Sequence, residues 1–134
     1  AQGQCPDIDP SRNFRSLLMK WGRFDKITVS DTFNDGQLLD LAGGLRVMHT
    51  PGHTPGHTSF VHEPTGVLIT GDVIHYWRSA IRIGIKLYCH DIALNEESAH
   101  KLSQAQCETV AFTHGPHLEN EGRRRLHEFL AQRR

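Results

Sequence analysis

The chain has 134 residues, a length typical of one domain, and 37% of its residues are hydrophobic. Fifteen Lys and Arg residues balance fifteen Asp and Glu residues, so the formal net charge is zero at pH 7. A neutral chain has no strong field for nucleic acid or anionic membranes, and no apolar run reaches the roughly 20 residues of a membrane span. The composition predicts a single domain over residues 1–134 that binds neither nucleic acid nor membrane.

The three cysteines, Cys5, Cys89 and Cys107, are too far apart in sequence for a zinc ribbon or a redox Cys-x-x-Cys pair. An unpaired set of cysteines is usual in reducing compartments. The cysteine pattern therefore predicts a cytoplasmic protein.

The first half of the chain begins with a polar stretch, residues 1–10, which we expect to be a mobile lead-in. An apolar stripe then predicts a helix from Ser11 to Gly22. Ser11 is a suitable N-cap, and Gly22 suits the C-terminal turn. Short strands are predicted after it, at Ile27–Val29, Gln37–Leu41, Leu45–His49, Thr58–His62 and Val67–Ile69. The last of these is continuously apolar, as expected for a strand covered on both faces.

The second half is predicted to hold most of the helices. Residues 73–86 have a mixed pattern that is compatible with a short helix, and the aromatic pair Tyr76 and Trp77 is expected in the core. Asn95 resembles an N-cap of a helix whose inner edge is Ala99, Leu102 and Ala105. A buried strand at Thr109–Thr113 and a helix at Glu121–Gln132 follow. This order predicts an α/β (α+β) fold, with one mostly antiparallel sheet and helices on one face.

The most distinctive motif is His49-Thr-Pro-Gly-His53-Thr-Pro-Gly-His57, followed by Thr70-Gly-Asp72 after the next apolar run. Turns made by Pro and Gly can place imidazoles at the rim of a sheet, and a carboxylate at a neighbouring strand end can join them. Zn²⁺ accepts two imidazoles and a carboxylate with water in an open position, and iron or manganese accepts them too. The motif therefore predicts a metal site of hydrolytic type.

These motifs, in this order and with Thr113-His114-Gly115 after them, resemble metallo-β-lactamase-fold hydrolases, closest to the glyoxalase II-like and general hydrolase branches. The resemblance implies that His53 binds one metal ion, that His114 binds a second, and that the Asp72 carboxylate bridges them. It assigns catalysis to Asp72 and His53. The implied reaction is cleavage of an ester, thioester, lactone or amide of a small molecule by metal-activated water, with one or two zinc ions.

The family's upstream motif, His-x-His-x-Asp-His, does not occur in this sequence, and no His precedes His49. We therefore expect the C-terminal half of a four-layer αββα sandwich, as a fragment, a processed chain or a naturally shortened variant. Such a half is expected to bind metal weakly and hydrolyse poorly. Its uncovered sheet face predicts a homodimer or pairing with a complementary N-terminal half. The alternative is a non-catalytic module, derived from the same fold, that self-associates or binds a partner.

The remaining histidines have lesser roles in this interpretation. His57 is expected to have a supporting or structural role rather than to bind metal, and His49 is a candidate for orienting a neighbouring residue. His75 and His117 are candidates for the wall of a substrate cleft.

Overall fold

The computed structural model describes residues 28–133. The chain divides into two compact units, Ala1–Thr32 and Phe33–Arg134, and every helix and strand of the described part lies in the second. The predicted lead-in over residues 1–10 and the helix from Ser11 to Gly22 lie outside the described residues.

Seven strands and two α-helices form the second unit. The strands are β1 (Leu38–Leu39), β2 (Leu45–His49), β3 (Thr58–His62), β4 (Val67–Ile69), β5 (Ile74–Trp77), β6 (Ala80–Ile83) and β7 (Thr109–Ala111). The helices are α1 (Ile92–Lys101) and α2 (Gly122–Ala131), and a short 3₁₀ helix, Leu102–Gln104, follows α1. Neither α-helix has the length and apolar character needed to cross a bilayer, and these are the α-helices of residues 28–133.

The main sheet has the strand order β1-β2-β3-β4-β7. Strands β1 to β4 pair in antiparallel fashion, and β7 adds in parallel to β4 after a long crossover. Strands β5 and β6 form a separate antiparallel hairpin within that crossover. The predicted fold class, an α/β fold with a mostly antiparallel sheet, is therefore confirmed.

One face of the main sheet forms the core with the helices. The strand register places buried apolar side chains from four strands on this face, namely Met48, Val61, Leu68 and Val110. The helical side supplies Ala99, Leu102, Leu126 and Leu130, which belong to the same buried cluster. Each large aliphatic side chain buried in this way contributes about 1.5–3 kcal/mol. The helices lie on one face of the sheet, as predicted.

The opposite face of the sheet is covered less completely. Ile69 is 40% exposed there, although its neighbour in β4, Leu68, is fully buried on the helical face. Phe60 pairs with Ile69 across the strands and meets the Phe33 ring edge-on, with centroids 6.0 Å apart. The prediction that β4 is covered on both faces is therefore wrong for the described residues, because no helix of that part packs on this side.

Residues 73–86 contain the β5–β6 hairpin, so the short helix expected there is wrong. Arg78 and Ser79 both have positive φ, 50° and 61°, which is the backbone of a type I′ hairpin turn. Such turns usually carry Asn-Gly, and Arg-Ser gives no such signal. Tyr76 packs against the core and stacks on Phe112, as expected. Trp77 is 60% exposed instead, because alternation along β5 turns it away from Tyr76.

Helix α1 begins one turn before the predicted N-cap at Asn95. The Asp91 carboxylate caps it by accepting a hydrogen bond from the Leu94 N–H at 3.0 Å. Asn95 is fully buried inside the helix, where its Nδ2 donates to the Val73 carbonyl at 2.9 Å. Both residues suit a cap, and this tertiary contact decides between them. The predicted inner edge of α1 and the turn after it, Ala99, Leu102 and Ala105, is buried.

The other predicted boundaries differ by a few residues. Strands β2, β3 and β4 have the predicted limits, whereas β1 and β7 are shorter than the predicted Gln37–Leu41 and Thr109–Thr113. Helix α2 loses one residue at each end of the prediction. Of the strand predicted at Ile27–Val29, residues 28 and 29 are described and are not in a strand.

An ion pair joins the loop before β1 to the end of α1. The Asp35 carboxylate accepts from Lys101 Nζ and from the His49 N–H, both at 2.7 Å, and Lys101 also donates to the His49 carbonyl at 2.9 Å. The Lys101 hydrogen bond, followed by that of His49, lowers the pKa of Asp35 below its ordinary value. The contact ties β2 to the helical layer beside the His49 end of the motif.

We expect Asp35→Asn to destabilise the fold by about 1 kcal/mol at neutral pH, because the pair is half-exposed and one charged acceptor is lost. Since the folded state lowers this pKa, the carboxylate stabilises the fold above its unfolded value of about 3.9 and stops doing so as the pH falls through the folded value. Urea unfolding at neutral and acidic pH measures the difference. Asp40→Asn, at an exposed carboxylate, is the control. A difference between Asp35→Asn and the native chain that persists in acid would contradict the ion-pair explanation.

Candidate metal centre

The predicted site residues lie in loops that meet at one edge of the main sheet. His53 is in the loop between β2 and β3, and Asp72 follows the end of β4. His114 follows the end of β7, which is parallel to β4. Because β3 is antiparallel to β2 and to β4, these three loops emerge from the same edge. The topology therefore brings together residues that are up to 61 positions apart in sequence.

The Asp72 carboxylate lies between two imidazoles. Its Oδ2 is 3.6 Å from His53 Nε2, and its Oδ1 is 3.4 Å from His114 Nε2. Oδ1 is buried and has no hydrogen-bond partner among residues 28–133, although a buried carboxylate oxygen normally has one. We call each pair of one imidazole and one Asp72 oxygen a half-site.

The dimensions of both half-sites fit a shared metal ion. With bond lengths of about 2.0–2.2 Å and tetrahedral angles, two ligand atoms of one zinc ion are separated by about 3.4 Å. In residues 28–133, no group of three or more His, Cys, Asp and Glu side chains is arranged so that it could hold a metal ion. The ligand distances and this absence are compatible, because each half-site has only two protein ligands, whereas zinc usually has three or four. The unpartnered oxygen and the donor types fit a metal; the ligand number is incomplete.

The His53 turn is held by α1 and the residues just before it. The N–H groups of His90 and Asp91 donate to the carbonyls of His53 and Gly52, each at 2.9 Å. Ser98 Oγ donates to the Pro51 carbonyl at 2.6 Å. These bonds fix the backbone of the Pro-Gly-His turn against the helix, so the turn is rigid where the imidazole must be placed.

Cys89 contacts the His53 ring from behind. Its Sγ is 3.8 Å from His53 Nδ1, the nitrogen that faces away from Asp72. Partners of this kind fix the orientation of a ligand imidazole. The sequence did not predict the role of Cys89, because this residue is 36 positions from His53 and belongs to no cysteine motif.

His57 supports Asp72 and is not placed as a ligand. Its Nε2 accepts a hydrogen bond from the Asp72 N–H at 2.8 Å, and its Nδ1 lies 3.0 Å from the Thr50 carbonyl. Burial lowers the pKa of His57, which favours the neutral ring. His49 is similar in kind, since its Nε2 donates to the Pro55 carbonyl at 3.1 Å and steadies the double turn. Both rings are thus hydrogen-bonded to the backbone near the centre.

The His114 loop packs on the β5–β6 hairpin. The Tyr76 N–H donates to the His114 carbonyl at 2.9 Å. The next residue, Gly115, has φ +108°, and a Cβ there would collide with the Tyr76 carbonyl. Only glycine allows this approach, so Gly115 is required where the loop turns. The His114 side chain is 72% exposed, whereas that of His53 is 23% exposed.

The two predicted cleft histidines have different surroundings. His75 is partly buried, and its pKa is lowered by burial first and then by the nearby His114 and Arg82. The residue after it, Tyr76, donates its N–H to the His114 carbonyl, so His75 lies beside the His114 loop. His117 instead contacts Glu119 through Nε2 at 2.9 Å on the exposed surface.

Several solved structures have a fold similar to that of this chain. A metallo-beta-lactamase family protein from Thermus thermophilus is 29% identical, with a TM-score of 0.56, over 75% of this chain and 34% of its own. An archaeal metallo-beta-lactamase superfamily protein from Sulfolobus tokodaii is 22% identical, with a TM-score of 0.63, over 87% of this chain and 45% of its own. The chain thus spans less than half the length of either protein.

A third structure, TTHA1623 in a di-iron-bound form, is 24% identical with a TM-score of 0.59, over 82% of this chain and 54% of its own. No curated protein gives a significant match to the sequence. The family model described as "Metallo-beta-lactamase superfamily" matches residues 11–114, which is most of the chain and includes His53, Asp72 and His114. The chain belongs to the metallo-beta-lactamase superfamily.

Proposed function

We propose that this chain provides part of the active site of a metal-dependent hydrolase. The observation that carries the proposal is the Asp72 carboxylate, which lies between two imidazoles and has a buried oxygen without a hydrogen-bond partner. A buried acceptor left unpaired costs about 1–3 kcal/mol, which favours a cationic ligand at this oxygen. Family membership supports the same kind of activity.

In this proposal His53 and Asp72 would hold one metal ion, and His114 and Asp72 would hold a second. Both imidazoles direct Nε2 at the carboxylate, the atom that a metal ligand uses when the other nitrogen is held from behind. Cys89 holds His53 in that way. Asp72 and His53 are the proposed catalytic residues because both would hold a metal ion that supplies the activated water.

The bound metal would supply a water of lowered pKa and a Lewis acid for the carbonyl oxygen of an ester, thioester, lactone or amide. Within the chain, Asp72 would be shared by the two metal ions, because one of its oxygens faces His53 and the other faces His114. The more exposed His114 borders the open side of the centre, where a small-molecule substrate can approach.

Zinc is the proposed metal, because two imidazoles and a carboxylate are ligands that Zn²⁺ prefers. Iron and manganese remain alternatives that the same ligands accept. The solved protein in a di-iron-bound form has a fold similar to that of this chain, which supports iron as an alternative metal.

The incomplete half-sites support the proposal that a second polypeptide completes the centre, either a second copy of the chain or a complementary N-terminal half. The sheet face opposite the helices carries the 40% exposed Ile69. An exposed apolar side chain at this place would favour association. Native mass measured with and without zinc separates a homodimer from a monomer that needs another chain. A cytoplasmic location stays a prediction from the cysteines.

The test of the metal centre compares His53→Ala and His114→Ala with His127→Ala, at an exposed histidine of α2. We expect zinc affinity, measured by competition with a chromogenic chelator, to fall more than about tenfold in the first two variants, because each loses half the ligands of a half-site. His127→Ala should match the unmodified chain. Equal affinity in all three variants would exclude these ligands.

Hydrolysis is tested on a panel of esters, thioesters, lactones and amides, with the metal-loaded chain and with a chelator present. Turnover that the chelator abolishes supports the enzyme. Zinc binding and self-association without turnover favour the second candidate, a non-catalytic module that associates through its sheet face. That candidate rests on the exposed Ile69 and, within residues 28–133, the incomplete ligand set.

A further inference from the structure

Three buried hydroxyl residues lie beneath the centre, at the ends of neighbouring strands. Thr50 follows β2, Ser59 is in β3 and Thr70 follows β4, and all three are fully buried. Ser59 Oγ is 2.9 Å from both Thr50 Oγ1 and the Thr70 carbonyl. Because a carbonyl only accepts, the single Ser59 proton goes to Thr70. Thr50 must then donate its own proton to Ser59.

The same proton count fixes the state of His57. With its proton given to Ser59, Thr50 Oγ1 can only accept, and so can the Thr50 carbonyl. Both lie 3.0 Å from His57 Nδ1, so this nitrogen carries the proton. On the other side of the ring, the Asp72 N–H can only donate, and it lies 2.8 Å from Nε2. His57 Nε2 must therefore be unprotonated.

We infer that His57 is a positioning residue: the buried chain of Ser59 and Thr50 holds it in one neutral tautomer, and its bare Nε2 fixes the backbone of Asp72. Two side-chain torsions separate that backbone from the carboxylate oxygens. Fixing the Asp72 amide therefore limits where both oxygens can lie relative to His53 and His114. The metal role of this contact rests on the proposed function, whereas the tautomer and the amide contact do not.

The His57 ring lies close enough to the Gly71-Asp72 backbone to limit its movement. Gly71, which precedes Asp72, has φ +58°, and a Cβ at this position would collide with His57 Nε2. The ring thus packs directly against the Gly71-Asp72 backbone, and the carboxylate cannot shift toward β3 without displacing it.

The first test needs no metal. Long-range ¹H–¹⁵N correlation spectra of the chain at neutral pH report which ring nitrogen carries the proton. We expect His57 to show a protonated Nδ1 and a bare Nε2. A ring protonated on Nε2, or on both nitrogens, would overturn the inference.

The second test replaces His57 by Gln or by Asn, whose side-chain amides each retain the hydrogen bond of one ring nitrogen. In His57→Gln, Oε1 replaces Nε2 and can accept from the Asp72 N–H; in His57→Asn, Nδ2 replaces Nδ1 and can donate to Thr50. We expect hydrogen exchange of the Asp72 amide to stay slow with Gln and to become faster with Asn. The same exchange rate in both variants contradicts a positioning role, with or without metal.

Zinc affinity and urea unfolding of the same variants complete the test. Residues that orient metal ligands typically change affinity about 10–100-fold, so Asn should lower zinc affinity by this factor and Gln should retain most of it. A residue that only stabilises the fold would change the free energy of unfolding in both variants and leave their zinc affinities alike. If the unmodified chain binds no zinc, the proposed function fails, while the exchange result still decides whether His57 positions Asp72.

Discussion

Replacing Asp72 by Asn is expected to remove metal binding and, at the same time, to leave the metal-free fold as stable as before or more stable. Both half-sites use this carboxylate, so one substitution affects both ions. We expect zinc affinity to fall by more than about 100-fold, the upper limit for residues that only support a ligand. The buried Oδ1 has no hydrogen-bond partner, and removing its charge should stabilise the metal-free chain by about 1 kcal/mol.

The opposite signs of the two effects make this prediction specific. Zinc competition and urea unfolding of metal-free protein measure them separately, and Asp40→Asn, at an exposed carboxylate, is the control for loss of charge. A stable fold with unpaired groups at its ligand positions is the usual compromise between stability and function. If Asp72→Asn instead lowers the stability of the metal-free chain and retains zinc, Asp72 is a structural residue and the proposed function is wrong.

The substitution Gly71→Ala is expected to cause the largest loss of stability in this set. Gly71 has φ +58°, a conformation that costs a non-glycine residue about 1–3 kcal/mol. The added Cβ also collides with His57 Nε2, which breaks the hydrogen bond from the Asp72 N–H and costs about 1 kcal/mol more. The total of about 2–4 kcal/mol is measured by urea unfolding.

A matched control lies in the same motif. A Cβ added to Gly56 would meet no atom within 4 Å, and this glycine has no positive φ, so Gly56→Ala should change stability by less than about 1 kcal/mol. Zinc affinity should fall in the Gly71 variant alone, because the Asp72 backbone moves with the displaced ring. Equal behaviour of the two variants would show that His57 does not press on Gly71.

The fold was predictable where local pattern and tertiary environment agree. The alternating or apolar runs of β2, β3 and β4 end at turns rich in Pro and Gly, and their limits are those of the prediction. The β5–β6 hairpin was not predictable, because the left-handed turn at Arg78 and Ser79 lacks the usual residues. The start of α1 was ambiguous, since Asp91 and Asn95 are both good caps and only the Asn95 contact with Val73 decides between them.

The sequence by itself identifies the family and the residues of the candidate centre, His53, Asp72 and His114, because Pro-Gly turns and strand-end carboxylates are local features. Tertiary structure alone decided the arrangement: each Asp72 oxygen faces a different imidazole, and Cys89 and His57 contact the centre from distant positions. The buried hydroxyls of Thr50, Ser59 and Thr70 had no signal in the sequence, since such residues are usually exposed. Their role depends on the register between the strands, because the register determines which hydroxyl group donates a hydrogen bond to which acceptor.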